Sequence, residues 1–145
     1  MNALTVTLII KILFTLILWS GPLLLLSSEN FIQLGFPVMM PDIYLKLLGW
    51  AYLTLVVAYC IGLRDAIKGI VPLSTIWIGI ISNGGASFLL LIYGLWGAWN
   101  TWGSLAQTFM WGSMIVTGVI TLALIWFGLI KQTIEVAKSN ESVSS

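Results

Sequence analysis

Four long apolar stretches constrain this chain more than any other feature: from about Thr5 to Leu26, Asp42 to Leu63, Ile70 to Leu95 and Leu105 to Ile130. A helix needs roughly 20 apolar residues to cross a hydrocarbon core of about 30 Å, and each stretch is long enough. Of the 145 residues, 59% are hydrophobic and 8% charged, where a soluble domain carries about a quarter charged. Mean hydropathy is +1.05. A soluble fold has nowhere to place that much apolar surface. The expectation is an all-α integral membrane four-helix bundle with short loops over residues 1–131. A polar cytoplasmic tail, expected to be disordered beyond its first helical turn or two, follows over 132–145.

The first stretch could be mistaken for a signal peptide, but it runs on both sides of Lys11 and no A-x-A-like site follows it. We read it as a span, with Ser20-Gly21-Pro22 kinking its second half. The loop from Ser27 to Pro41 is apolar, with Phe31, Ile32, Leu34, Phe36, Val38, Met39 and Met40. It should lie on the membrane surface or fold back on the bundle, and Pro37 and Pro41 argue against a straight helix there. Asp42 fits an N-cap or first-turn role, and Lys46 can pair with it one turn later. The run Arg64-Asp65-Ala66-Ile67-Lys68-Gly69 reads as a turn, and Pro72 suits the first turn of the third helix. At about 1.5 Å per residue, Ile70 to Leu95 reaches about 39 Å, so tilt or a protruding end is expected.

Orientation follows from the basic residues near span ends. Arg64, Lys68, Lys131 and Lys138 fall on one side of a four-span chain. Lys11 can snorkel to that side, and only Lys46 falls on the other. Both termini are therefore placed in the cytoplasm, with the protein in the inner (cell) membrane. Tyr44, Trp50, Tyr93, Trp96, Trp99, Trp102 and Trp111 map to the outer half, as an interfacial belt would.

Composition also excludes chemistry. There is no histidine, and Cys60 is the only cysteine, so a disulfide within the chain and a Cys/His zinc site are ruled out. Cys60 itself reads as a small buried hydrophobe. A net charge of +1 gives no reason to expect nucleic acid as a partner. No carboxylate lies in the middle of a span, which counts against a proton pump. No catalytic residue, metal or cofactor is predicted, and the chain leans away from being an enzyme.

The candidate site is Ser82-Asn83-Gly84-Gly85, in the middle of the third span. An amide at that depth needs partners and usually faces the bundle interior, and paired glycines admit a neighbour or ligand closely. Tyr52 and Tyr59 on the second span, with Thr117 and Thr121 on the fourth, could complete a mostly apolar pocket with Ser82, Asn83 and Gly84. Packing is the competing explanation. Thr75, Gly79, Ser82 or Asn83, and Ala86 make a small-residue stripe in which Asn83 bonds across a helix interface. The hydroxyls of Thr117 and Thr121 more often bond their own i−4 carbonyls. Trp96, Trp99 and Trp102 form either a docking surface or a headgroup-level belt.

Gly35-Phe-Pro37, Pro41, Leu45-Lys-Leu-Leu-Gly-Trp-Ala-Tyr52, Tyr59, Arg64-Asp65 and the Asn-Gly-Gly within Ile80–Ala86 resemble the small four-helix membrane proteins grouped as DoxX-like. The resemblance implies a compact four-helix bundle. For some members it implies a role as partner subunit in quinone-linked sulfur oxidation, with no motif here on which to carry over catalytic residues. Three functions are expected in order. The first is a non-catalytic accessory or assembly subunit, partnered by lipids and by other membrane subunits or copies of itself. The second is intramembrane binding or transport of a small apolar molecule such as a quinone, lipid or pigment. The third is a partner subunit of a quinone-linked oxidoreductase.

Overall fold

The computed structural model describes residues 3–37 and 41–134, with helices and connecting turns and no strand among them. In chain order these are α1 (Ala3–Leu25), the short α2 (Ser28–Gln33), α3 (Asp42–Ile67), α4 (Leu73–Leu95) and α5 (Ser104–Ile134). The four long helices are each apolar and long enough to cross a membrane. They run alternately up and down, in a ring where α1 and α4 each pack on α3 and α5. Ala3, the Lys68–Gly69 turn and Ile134 share one end, the terminal end. At the opposite, loop end lie α2 and the connection from Trp96 to Gly103.

The outside of the bundle is apolar. Ile17 (61% exposed), Trp50 (62%), Ile81 (69%) and Leu122 (68%) point outward from the four helices in turn. Such a surface suits lipid and is untenable in water. Inside, two cores occupy opposite ends. Leu4, Leu8, Tyr59, Ala66, Ile76, Ile120 and Leu124 fill the terminal half. Leu23, Phe31 and Leu45, flanked by Trp19, Phe36 and Tyr52, fill the loop end. The level between them is where the packing is incomplete.

Close helix contacts are made at glycines, though not at the expected pair. Gly62 of α3 faces the Thr75 side chain of α4, Gly79 faces Leu124 and Tyr59, and Gly128 faces Ile76. A Cβ at Gly85 would meet nothing within 4 Å, and one at Gly84 would reach Thr121 only at 3.4 Å. The stripe through Thr75 and Gly79 therefore packs helices, whereas Gly84 and Gly85 do not bring a neighbour close.

The expected kink in α1 takes the form of a π-helical turn over Thr15–Ser20, with the Gly21 N–H bonded five residues back to Leu16 O. Pro22 has no N–H for the Leu18 carbonyl, and a wider turn just before it absorbs the misfit. α5 carries a second π turn over Ile125–Ile130 and stays helical to Ile134. The polar tail was expected to begin with a helical turn or two; its residues 135–145, Lys138 among them, lie outside the described residues.

Several boundaries move. Arg64-Asp65-Ala66-Ile67 belongs to α3 rather than to a turn, because Ala66 is buried in the terminal core. The helix stops at Gly69, whose φ of +78° lets its N–H reach Ala66 O and that of Ile70 reach Asp65 O, a Schellman ending. Arg64 and Asp65 lie 3.7 Å apart on the surface. Pro72 stands just before α4 rather than within its first turn.

The first loop folds back on the bundle. Ser27 and Asn30 form a capping box for α2, and Phe31 is buried against the loop-end core. Phe36 meets Trp102 and Phe109 at 5.8 and 6.0 Å between ring centres. Gly103 N–H donates to Gly35 O at 2.8 Å, joining the two loop-end connections. Val38, Met39 and Met40 lie outside the described residues.

Asp42 and Lys46 serve this closure instead of pairing with each other. Asp42 Oδ1 accepts from Ser28 N at 2.8 Å and from Ser28 Oγ at 2.6 Å. Lys46 Nζ donates to Leu26 O at 2.6 Å, a cation on the carboxyl end of α1.

Candidate functional site

Between the two cores lies a cavity of about 450 Å³, within the size range of small-molecule sites. α3 supplies Leu48, Ala51, Tyr52 and Leu55, and α4 supplies Ser82, Asn83, Ala86, Leu89 and Leu90. Lys11 and Trp19 enter from α1 and Thr117 from α5. All four long helices contribute. The contacts between α3 and α4 at Gly62–Thr75, Tyr59–Gly79 and Tyr59–Ser82 lie toward the terminal end. Leu48, Ala51 and Leu89, further toward the loop end, are exposed. The cavity consequently opens sideways between the loop-end halves of α3 and α4.

Its polar groups gather at the floor. Tyr59 is fully buried, and its hydroxyl lies 2.8 Å from Ser82 Oγ. Asn83, 1% exposed, donates from Nδ2 to Gly79 O of its own helix at 2.6 Å. Asn83 also reaches the Tyr59 hydroxyl of α3, so it takes part in the α3–α4 interface as well. Thr117 and Thr121 bond Ser113 O at 2.7 Å and Thr117 O at 2.8 Å, the ordinary i−4 arrangement.

Of the residues singled out from sequence, Tyr52, Ser82, Asn83 and Thr117 share the cavity wall. Tyr59 sits directly beneath it. Gly84 and Thr121 face each other on the α4–α5 contact and do not line it. The tryptophan surface divides: Trp96 is 76% exposed, whereas Trp99 is 2% exposed, packed against Gly94 and Trp111. Trp102 lies between Trp99 and Phe36. Burial removes Trp99 from any docking surface. Cys60 is exposed rather than buried.

Lys11 is the residue whose placement departs most from the expected one. Snorkelling was expected; instead the side chain is 6% exposed and Nζ lies 5.5 Å from the centre of the Tyr59 ring. The reason is depth. Lys11 is about 12 Å along α1 from Ala3, and the nearer polar surroundings are the cavity floor and an aromatic face that attracts cations. Lys11, Thr15 and Trp19 recur every four residues, so one face of α1 presents all three. That spacing was the available signal. Thr15 is fully buried, and its hydroxyl has no hydrogen-bond partner.

A second chamber of about 320 Å³ lies at the loop end beneath α2. Its wall is apolar, including Leu23, Phe31, Leu45 and Phe109, and it shares Trp19 and Leu48 with the first. The Trp19 ring stands 5.4 Å from Tyr52 and 5.2 Å from Phe109, as the partition between them. Among the described residues no group of three or more His, Cys, Asp or Glu is placed to hold a metal ion.

Compared with protein-family models, characterised proteins and solved structures, the chain matches none. The functional reading therefore rests on the geometry.

Proposed function

We propose that this chain is an integral membrane protein that binds a small, mostly apolar molecule between its helices, as a carrier or holding site within the bilayer. The observation that carries this reading is the cavity itself, walled by apolar side chains, open sideways and floored by polar groups from several helices. An empty, well-packed bundle has no use for it, since interiors normally close such space. A quinone, a lipid or a pigment has the required apolar body. The accessory-subunit reading draws on no feature of its own, because the exposed apolar faces on all four helices are what lipid alone requires.

The full chain purified in mild detergent is expected to carry a bound small molecule in native mass spectra. Ala86→Phe, which fills the cavity from α4, should reduce that occupancy by about tenfold or more with the unfolding midpoint little changed. A wild-type protein that is free of ligand and accepts no apolar probe would sink the proposal. So would undiminished occupancy in the variant. Protein subunits co-purifying without any small molecule would favour the accessory reading.

The same proposal places both termini in the cytoplasm of an inner-membrane protein. With Lys11 turned into the cavity, the charge argument rests on Arg64, Lys68 and Lys131 at the terminal end against Lys46 at the loop end. A reporter fused after Ser145 and one inserted between Trp96 and Gly103 should register opposite sides of the membrane. Registration on the same side would refute a four-span count.

A further inference from the structure

An apolar ligand leaves Lys11 unexplained. A buried ammonium without a counter-charge is costly in a low-dielectric interior. The Tyr59 face, 5.5 Å from Nζ, offsets part of that cost. Among the described residues no carboxylate compensates the rest: Asp65 lies beside Arg64, Asp42 holds Ser28 at the loop end, and Glu29 is exposed there. Lys11 Nζ has no hydrogen-bond acceptor among those residues, yet it borders a space large enough for a ligand. The site is electrostatically incomplete, and an anionic oxygen would complete it.

We infer that the ligand is a single-chain amphiphile whose anionic oxygen head, a carboxylate or a phosphate, sits at Lys11 and whose chain runs toward the loop end. The inference rests on the binding proposal and specifies its ligand class. The head would lie on the polar floor, beside Ser82 and Asn83. The chain would lie along Leu55, Leu48, Leu89 and Leu90. On the far side of the Trp19 partition lies the apolar chamber under α2. From Lys11 to Leu26 the helix covers about 22 Å, more than the roughly 15 Å that one leaflet's chain spans in the bilayer core. The sideways opening lets a chain enter from lipid, and a cavity of about 450 Å³ suits one chain rather than two.

The test compares three probes of equal chain length on the full chain in nanodiscs, read by native mass spectrometry: palmitate, hexadecyl phosphate and hexadecanol. Wild type should bind at least one anion about tenfold or more tightly than hexadecanol, as a charge-assisted contact implies. The tighter anion identifies the head. Lys11→Met, similar in length and uncharged, should bring the anions down to hexadecanol's level and leave hexadecanol unchanged. Equal binding of all three probes by wild type overturns the anion inference while the cavity proposal stands. The same holds if the preference persists in Lys11→Met. Binding of none of the three overturns this inference, while the cavity proposal is decided separately by the native mass spectrum of the purified protein. The comparison among probes in wild type does not depend on a variant folding.

Discussion

Gly62→Leu is expected to destabilise the bundle by about 3 kcal/mol or more, the largest effect of any single change considered. At Gly62 even a Cβ would fall on the Thr75 side chain, closer than any real contact. Leucine must therefore push α3 and α4 apart at the terminal end. In a bilayer this loss is not one of hydrophobic burial, since lipid tails are as apolar as leucine. It is a loss of close van der Waals contact, the main force between such helices. The same separation would draw Tyr59 away from Ser82 and open the cavity floor, so ligand occupancy should fall with stability. Gly85→Ala is the control. Nothing lies within 4 Å of a Cβ there, and replacing a mid-helix glycine should be neutral or stabilising by up to about 1 kcal/mol. Unfolding titrated with SDS and followed by circular dichroism measures both. Similar midpoints for the two variants would show that the Gly62–Thr75 contact does not hold α3 to α4.

The second large effect is expected at the loop end, where Gly35→Ala should cost about 3 kcal/mol. Gly35 has a φ of +88°, and a Cβ there would stand 2.8 Å from Gly103 Cα. The first property alone costs about 1 kcal/mol for a residue with a side chain. The second forces two backbones apart and breaks the Gly103 N–H bond to Gly35 O. Gly69→Ala separates the two terms, because Gly69 shares a positive φ of +78° but meets nothing within 4 Å. It should lose only about 1 kcal/mol. Amide exchange at Gly103 should also accelerate in Gly35→Ala, as α2 lifts from the chamber beneath it. Equal losses at the two glycines would mean that the approach of Gly35 to Gly103 is not tight.

Much of the architecture was legible from residue types. The lengths of the apolar runs located α1, α3, α4 and α5 to within a few residues, because a span must satisfy every backbone group within itself and can be read without knowing its neighbours. The greasy first loop was correctly expected to be able to fold back. The expected turn at Arg64–Gly69 was drawn too early because charge was taken as the end of the helix. What ends α3 is Gly69's left-handed backbone, while Ala66 stays buried.

The candidate site was legible only in part. Ser82 and Asn83 stood out because polar groups at mid-span depth are expensive, and Tyr52 and Thr117 followed from spacing. Lys11 was misread, since distance from a span end says how far a lysine must reach but not what waits beside it. Trp96, Trp99 and Trp102 looked like one surface because they are close in sequence. The turn at Gly97 (φ +77°) and the space at Gly94 divided them.

The sequence by itself determined four apolar helices of spanning length, the short connections between them and the mid-span polar residues. Each of these is a local property, governed by side-chain transfer and backbone satisfaction within a single segment. Only the tertiary structure decided which glycines admit a neighbour, that two cores leave a cavity between them, and that Lys11 turns inward over Tyr59. Those outcomes depend on which faces of separate helices meet. No single helix carries that information, because in lipid every apolar face is equally at ease until shape and polar partners select among them.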